Sequence, residues 1–413
     1  MSYFNERGVD ELYAAITDAY LANDYPWVVG FSGGKDSTAT LQAVWFAIAG
    51  LEPEQRKKPI YVIASDTGVE NPRIAERLHG DLRAMHEMAS ATGMPITAEL
   101  VRPNLQDSFW VQLIGKGYAA PSGRFRWCTD RLKIRPANDF VRRKVSEHGQ
   151  VVMVLGSRRA ESATRAQVMA MHEIQGSRFK SHSTLRGALV YTPIEGLTTD
   201  DVWLYLMNVK NPWSGSNRDL AAMYRSASDA GECPLVVDTK TPSCGNTRFG
   251  CWVCTVVQRD RSLAAMIDNG DGWLEPLFDM QHHLKNTQDP EHKLDYRDPR
   301  VQRGRMTVKD DGTPVPGRYK MEFCQDMLHR LLRAQEDVQA GMPGFHLITG
   351  EELGGIARIW ISDRGQPADE VERIHRQATG REIVLDVGDV RPKPGYLPLA
   401  PELAVVAASK RRH

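Results

Sequence analysis

The sequence lacks an excess of either charge sign. Its 413 residues carry 52 Lys and Arg against 52 Asp and Glu. Overall charge therefore gives no attraction toward nucleic acid or an anionic membrane, and only local clusters could do so. Long hydrophobic runs are missing as well, since no stretch of about 18 apolar residues occurs and a membrane-spanning helix needs one. We therefore expect no membrane association.

Cysteine is scarce, with six in the whole chain. The amino-terminal sequence MSYFNERGVDELYAA contains acids and no apolar core, so we expect no signal peptide. These features favour a cytoplasmic protein whose thiols stay reduced. This expectation weakens a disulfide framework as the explanation for the four cysteines that crowd into residues 233–254.

Two common nucleotide-binding motifs are also absent. The pattern G-x-x-x-x-G-K-[ST] of P-loop nucleotidases does not occur next to a predicted strand, and neither does the G-x-G-x-x-G pattern of dinucleotide-binding folds. A phosphate site in this chain must therefore be built from a different loop.

Short apolar runs alternate with helical patterns along the first half of the chain. Such alternation predicts an α/β fold with a doubly wound, mostly parallel sheet. The predicted strands lie at residues 26–32, 59–67, 95–103, 151–159 and, more weakly, 188–194. Helices are predicted at residues 10–23, 198–208 and 321–338 and from about residue 259. We divide the chain into a nucleotide-binding domain at 1–210, a Cys-rich and helical region at 211–340, and a carboxyl-terminal extension at 341–413.

The sequence FSGGKDS at 31–37 lies between the first predicted strand and a helix. Gly33 and Gly34 permit a sharp turn in which backbone N–H groups can converge on an anion. The helix N-terminus adds partial positive charge, Lys35 adds a mobile cation, and Ser32 and Ser37 add hydroxyl groups. This pattern predicts a phosphate-binding loop.

Two further segments follow the ends of predicted strands, where open parallel sheets bind ligands. Asp66 and Glu70 follow the second strand, at the place of a ribose, an adenine or a bound Mg²⁺. The sequence GSRRAESATR at 156–165 follows the fourth strand. Its Arg158, Arg159 and Arg165 suit phosphate oxygens and could stabilise charge on an α-phosphate during transfer.

Four motifs together resemble the phosphoadenosine-phosphosulfate reductase branch of the PP-loop ATP pyrophosphatases. They are SGGKDS at 32–37, DTG at 66–68, G-x-R-x-x-E-S-x-x-R at 156–165 and YTPIEGLTTDDVWLYL at 191–206. The resemblance implies an adenine nucleotide alpha hydrolase-like (HUP) fold and cleavage of ATP into AMP and pyrophosphate with Mg²⁺. It implies catalytic roles for Lys35, Asp36, Asp66, Arg158 and Arg165. The implied ATP-binding residues are Ser32, Gly33, Gly34, Lys35, Asp36, Ser37, Asp66, Thr67, Gly156 and Arg158.

The segment 211–266 is similar to the sulfur-incorporating ATP pyrophosphatase of bacterial DNA phosphorothioation systems, the DndC/SspD type. The run CGNTRFGCWVC carries most of this similarity. The resemblance implies that the chain works on DNA with a cysteine desulfurase and other phosphorothioation subunits. Together they replace a non-bridging phosphate oxygen with sulfur.

The four clustered cysteines are Cys233, Cys244, Cys251 and Cys254. Four thiolates can bind zinc or a 4Fe–4S cluster, and their spacing alone does not decide between them. The family resemblance implies a 4Fe–4S cluster and leaves zinc as the alternative. Cys128, among basic residues that favour its thiolate, is a candidate sulfur carrier or a residue that lines the pocket. Cys324 is expected in the core.

Basic residues are concentrated between Gly115 and Val145, where nine Lys and Arg face two acids. Phe125, Trp127 and Phe140 lie among them as candidate stacking surfaces. A basic, aromatic loop could hold a nucleic-acid backbone. A solvated face that also supplies ligands to ATP phosphates explains the same composition.

The leading hypothesis is that ATP adenylates an oxygen of a DNA phosphodiester and that sulfur then displaces AMP. Three alternatives stay open. A sulfonucleotide reductase would use the same fold without consuming ATP, although no catalytic cysteine stands near the carboxyl terminus. A tRNA thiolase would use the same loop and cluster on RNA. A nucleotide-sensing scaffold that docks the desulfurase would perform no chemistry.

Overall fold

The structure is a computed structural model. It describes residues 2–123, 125–161, 167, 170, 177–226, 250–256, 260–302 and 305–391. The chain forms two compact units. The first, here the sheet unit, comprises Met1–Arg102, Thr129–Cys251 and Arg259–Asn269, and the second, here the helical unit, comprises Pro103–Cys128, Trp252–Gln258 and Gly270–His413. The division at residues 210 and 340 that the sequence suggested stays a prediction.

The sheet unit contains a six-stranded sheet. Its strands are β1 (Trp27–Gly30), β2 (Ile60–Ser65), β3 (Ile96–Val101), β4 (Val151–Val154), β5 (Lys180–Ser181) and β6 (Ala188–Tyr191). Their order is β3-β2-β1-β4-β6-β5. All neighbouring strands run parallel except the short β5, which pairs antiparallel with β6. This confirms the predicted α/β, mostly parallel fold.

Helices connect and cover the strands. The α-helices of the described chain are α1 (Tyr3–Glu6), α2 (Val9–Leu21), α3 (Lys35–Ala49), α4 (Pro72–Ala91), α5 (Trp127–Thr129), α6 (Arg135–His148), α7 (Thr199–Asn208), α8 (Asn217–Ser226), α9 (Arg261–Asp268), α10 (Glu275–Asn286), α11 (Lys293–Tyr296), α12 (Met321–Gly341), α13 (Gly350–Arg364) and α14 (Glu370–Thr379). Local sequence sets several of their starts. Thr198 and Asp201 form a reciprocal capping box at α7, which lies within the helix predicted at 198–208.

The order of the strands places a topological switch at β1. This strand pairs with β2 on one side and with β4 on the other. Trp27 and Val29 of β1 are fully buried, as expected for a parallel strand with helices on both faces of its sheet. The loops that follow β1 and β4 therefore meet at the carboxyl edge of the sheet, where such folds bind ligands.

The helical unit is built mainly from α12, α13 and α14. Two short antiparallel pairs accompany them, β7 (Arg297–Pro299) with β10 (Pro316–Tyr319) and β8 (Val301–Gln302) with β9 (Arg305–Met306). Cys324 of α12 is fully buried, which confirms its predicted place in the core. Burial raises the pKa of its thiol to about 12. No helix within the described residues is both long and apolar enough to cross a membrane.

One stretch differs from its prediction. The composition of the basic segment between Gly115 and Val145 predicts a loop, but Arg135–His148 forms helix α6 and Asp130–Ile134 forms a turn of π-helix before it. The sequence holds the signal for this helix. Pro136 stands in its first turn, and Phe140 and Val141 supply its buried side.

The buried side chain of Lys58 caps the carboxyl end of α2 in the sheet unit. Its ammonium group donates to the carbonyl oxygens of Tyr20 and, at 2.9 Å, of Asn23. It also lies 4.2 Å from the ring centroid of Tyr20. Burial is the main cause that lowers the pKa of Lys58 from 10.5 to about 8.

This pKa predicts a specific pH dependence of stability. A lysine whose folded pKa is lowered binds fewer protons in the folded state between pH 8 and pH 10.5, so its contribution to stability rises with pH there. We expect the unfolding free energy of wild type, minus that of Lys58→Met, to rise by about 2 kcal/mol from pH 8 to pH 10. Urea unfolding at both pH values measures it. The exposed neighbour Lys57 provides the control, because Lys57→Met should leave the pH dependence unchanged. Parallel curves for Lys58→Met and wild type would contradict the prediction.

Candidate functional site

The loop after β1 turns sharply into α3. Gly33 has a φ of +70°, a conformation that side chains other than glycine rarely adopt. Gly34 is the residue before α3, and a Cβ there would lie 3.2 Å from the hydroxyl oxygen of Tyr224. The turn therefore favours glycine at 33 for its backbone angle, and at 34 a side chain would have to displace the Tyr224 hydroxyl by a few tenths of an ångström.

Hydroxyl groups hold this loop together. The Oγ atoms of Ser32 and Ser37 lie 3.1 Å apart, and Ser37 Oγ donates to the carbonyl oxygen of Gly34 at 3.0 Å. The backbone N–H of Ser32 donates to Ser37 Oγ at 3.2 Å. The loop is thus closed by its own residues at the N-terminus of a 15-residue helix, which is a favourable place for an anion.

Asp36 lies between two cations. Its Oδ1 accepts from Nε of Arg158 at 2.7 Å, and its Oδ2 accepts from Nζ of Lys35 at 3.0 Å. Arg158 is only 2% exposed, whereas Asp36 keeps 22% of its side chain exposed. Two positive charges against one negative charge leave a net positive site beside the loop. Such a site suits phosphate oxygens.

Gly156 allows the loops after β1 and β4 to approach. A Cβ at this position would lie 2.8 Å from the carbonyl oxygen of Asp36 and 2.9 Å from Oγ1 of Thr40. Any larger residue would push the two loops apart. The absence of a side chain at Gly156 therefore allows Arg158 to reach Asp36.

Tyr224 of α8 is a site residue that the sequence did not reveal. Its hydroxyl oxygen accepts from the backbone N–H of Lys35 at 3.3 Å, and its ring centroid lies 5.4 Å from Lys35 Nζ. It stands 189 residues from Lys35 in the chain. No local motif signals such a contact.

Asp66 follows β2 at the same edge of the sheet. Its Oδ2 accepts from Nε of Arg102 at 2.8 Å and lies 3.5 Å from Nε2 of His79, while Oδ1 accepts from the N–H of Gly68. The predicted role of Asp66 toward Mg²⁺ or ribose stays a prediction. Sequence reasoning missed both Arg102 and His79, because nothing in the local pattern marks them as partners of Asp66.

Thr67 and Glu70 organise the turn after Asp66. The N–H of Thr67 donates to Glu70 Oε2 at 2.9 Å. Burial is the largest influence on Glu70 and raises its pKa, against the opposing effects of the Thr67 hydrogen bond and the charge of Lys133. Glu70 thus serves as a half-buried acceptor that fixes the backbone of the turn.

Cys251, one of the four clustered cysteines, contacts this turn. The backbone of Cys251 forms an antiparallel bridge with that of Glu70, and its Sγ lies 3.4 Å from Oγ1 of Thr67. In the helical unit, the carbonyl oxygen of Cys254 accepts from Nε2 of Gln281 at 2.8 Å. The predicted metal ligands Cys233 and Cys244 lie outside the described residues.

The donor set of the cluster fits a thiolate-bound metal by its chemistry. Cysteine thiolates are ligands that zinc and iron–sulfur clusters both accept. Cys251 of the sheet unit and Cys254 of the helical unit are each half-buried. Among the residues that the structure describes, no group of three or more His, Cys, Asp or Glu side chains is arranged around a common point. The nature of the metal stays a prediction.

Three other residues were predicted from the sequence, namely Arg165, Cys128 and Arg159. Arg165 lies outside the described residues. Cys128 is half-buried in the helical unit, and its role as a sulfur carrier stays a prediction. Arg159 forms a surface ion pair with Glu195 at 2.8 Å.

The basic stretch presents less stacking surface than its composition suggested. Trp127 and Phe140 are buried, whereas Phe125 is 48% exposed. Ion pairs also neutralise part of its charge, such as Arg142 with Asp139 at 2.7 Å and Arg135 with Asp130 at 2.7 Å. These pairs and the two buried rings correct the interpretation of this stretch as an aromatic, basic loop.

Comparison with known proteins identifies the family of the chain. Residues 26–256 match the family described as the phosphoadenosine phosphosulfate reductase domain. An uncharacterized protein of Methanocaldococcus jannaschii is 26% identical over 213 residues, which are 50% of this chain and 38% of that protein. The chain therefore spans well under half of that relative's length.

Two solved structures share more distant similarity. The phosphoadenylyl-sulfate reductase of Candida auris, in a phosphate complex, is 14% identical with a TM-score of 0.32, over 55% of this chain and 95% of that one. The U34-tRNA thiolase NcsA of Methanococcus maripaludis, with its 4Fe–4S cluster, is 12% identical with a TM-score of 0.31, over 69% and 82%.

Proposed function

Since the chain belongs to the phosphoadenosine phosphosulfate reductase domain family, we propose that it is an ATP pyrophosphatase that activates DNA for sulfur incorporation. The observation that carries this proposal is the position of Asp36 between Lys35 and Arg158 at the switch of the sheet. A tight loop with a net positive charge beside it suits a pyrophosphate leaving group. The motif run between 211 and 266 supports DNA as the substrate.

In the proposed reaction a non-bridging oxygen of a DNA phosphodiester attacks the α-phosphorus of ATP. The bond from the α-phosphorus to the α,β-bridging oxygen breaks, and pyrophosphate leaves. Lys35 and the backbone of Gly33 and Gly34 hold the pyrophosphate, while Arg158 stabilises negative charge on the α-phosphate. Asp36 orients both cations, and its own charge keeps the buried Arg158 paired.

Sulfur transfer completes the proposed reaction. The terminal sulfur of a persulfide, supplied by a cysteine desulfurase, attacks the activated DNA phosphorus, and AMP leaves with the former DNA oxygen. A thiol then reduces the remaining sulfur–sulfur bond and releases the DNA phosphorothioate. This scheme needs other phosphorothioation subunits only for DNA recognition and sulfur supply.

Mg²⁺ and a metal centre held by cysteines would assist the proposed reaction when bound. Mg²⁺ would shield the charge of the leaving pyrophosphate. Asp66 would hold it through Oδ1, which keeps a lone pair beyond its bond to the N–H of Gly68. Cys251 and Cys254, with Cys233 and Cys244, would hold a 4Fe–4S cluster or zinc. A cluster would supply electron transfer or a sulfur relay, and zinc would only stabilise the fold.

The test is DNA sulfur in cells that carry the partner subunits but lack this chain. We expect the wild-type chain to restore phosphorothioate linkages, measured by mass spectrometry of nuclease digests, and Lys35→Met to leave DNA without them. Sulfur in tRNA in place of DNA would favour the thiolase alternative. Normal DNA sulfur with Lys35→Met would favour the scaffold. Sulfite formation from a sulfonucleotide without ATP use would favour the reductase.

A further inference from the structure

The contact between Thr67 and Cys251 joins the turn after β2 to the cysteine cluster. Thr67 Oγ1 lies 3.4 Å from Cys251 Sγ, within hydrogen-bond range for sulfur. Both residues belong to the sheet unit, although 184 positions separate them in the chain. Thr67 is 2% exposed, so water does not compete for its hydroxyl group.

The direction of this hydrogen bond follows from the protonation state of the sulfur. The N–H of Val69 donates to Thr67 Oγ1 at 3.4 Å, which occupies one acceptor position on the oxygen. A thiolate sulfur has no proton and can only accept. When Cys251 is a metal ligand, Thr67 must therefore be the donor.

The backbone fixes this geometry on both sides. Glu70 Oε2 accepts from the N–H of Thr67, and the backbone of Glu70 bridges to that of Cys251. Thr67 and Cys251 are thereby held by the same residue. The hydroxyl-to-sulfur contact is thus part of the hydrogen-bonded turn that follows Asp66.

We propose that Thr67 is a positioning residue for the metal centre, whose hydroxyl donates to the Cys251 sulfur and holds it as a ligand. This inference rests on the cysteine site of the proposed function and adds a residue to it. A hydrogen bond to a ligand sulfur withdraws electron density from the metal and orients the ligand. Thr67 therefore tunes metal retention and, for an iron–sulfur cluster, the reduction potential.

The experiment compares full-length wild type with Thr67→Val, Thr67→Ser and Thr97→Val, all purified anaerobically. Valine keeps the shape of threonine and removes the hydroxyl, and serine keeps the hydroxyl. Thr97, exposed on β3, is the control for the same substitution. Iron and zinc content is measured first, and then the rate of metal release to excess chelator. For an iron-containing protein, a redox titration follows.

We expect Thr67→Val to release metal about 10-fold faster than wild type, the lower end of the range for lost outer-sphere partners. Thr67→Ser and Thr97→Val should stay within about 2-fold of wild type. In an iron-containing protein the reduction potential should fall in Thr67→Val and recover in Thr67→Ser. Equal release rates for Thr67→Val and wild type would overturn the inference. So would Thr67→Ser behaving like Thr67→Val, or a wild-type protein that binds no metal.

These readouts are separate from the proposed reaction. ATP cleavage and DNA sulfur do not enter them. A protein that loses metal faster in Thr67→Val but never cleaves ATP would keep this inference and refute the proposed function. A protein that cleaves ATP but releases metal at the same rate in Thr67→Val and wild type would refute Thr67 as a positioning residue and keep the proposed ATP chemistry.

Discussion

Replacement of Lys35 by Met is expected to slow cleavage of ATP into AMP and pyrophosphate by about 10²–10³-fold, the usual cost of losing one donor that stabilises charge in a transition state. The ammonium group lies at the N-terminus of α3, beside the loop that would hold the pyrophosphate. The fold should be retained, because Asp36 keeps its bond to Arg158. Coupled-enzyme detection of pyrophosphate measures the rate.

The control for this variant is Lys57→Met, at an exposed position away from the site. It removes the same charge and should leave the rate of ATP cleavage unchanged. Full activity in Lys35→Met would show that the loop does not act on the phosphates. An equal loss in both variants would indicate a nonspecific effect of charge.

Replacement of Asp36 by Asn is expected to lower both activity and stability. The amide cannot neutralise Arg158, which is 2% exposed, so a buried cation loses its counter-charge. Breaking such a pair from one side costs about 3–5 kcal/mol, and the partial exposure of Asp36 places this case near the lower end. Urea unfolding measures the free energy, and pyrophosphate release measures the activity.

Asp139→Asn is the matched control. Asp139 also binds an arginine at 2.7 Å, but Arg142 is 61% exposed. Exposed pairs contribute about 0–1 kcal/mol, so this variant should remain close to wild type in stability. Similar losses in the two variants would contradict the burial argument. A large loss only in Asp36→Asn would support it.

The sheet could be predicted well from sequence because parallel strands that are buried on both faces are continuous apolar runs. PWVVGFS, PIYVIASDT and VVMVLGSRR each contain a strand of the central sheet. The helix α6 was missed because its charges dominate its composition. Its buried side consists of little more than Pro136, Phe140 and Val141.

The site was predictable only in part. The SGGKDS loop can be identified from the sequence, because its glycines and lysine are contiguous. The pairing of Asp36 with Arg158 spans 122 positions and depends on how β1 and β4 align in the sheet. The bonds of Asp66 to Arg102 and of Lys35 to Tyr224 are long-range contacts of the same kind. Sequence patterns report local order, and these contacts arise only once the chain has folded.

The most direct test of the account is to identify the products of ATP. Purified protein, with Mg²⁺, DNA and a persulfide-loaded cysteine desulfurase, is incubated with ATP labelled in the α-phosphate or, in a parallel sample, in the γ-phosphate. The labelled products are separated by chromatography. We expect AMP and an equal amount of pyrophosphate, both formed about 10²–10³-fold more slowly by Lys35→Met. Formation of ADP and phosphate, or no consumption of ATP in the presence of every partner, would contradict it.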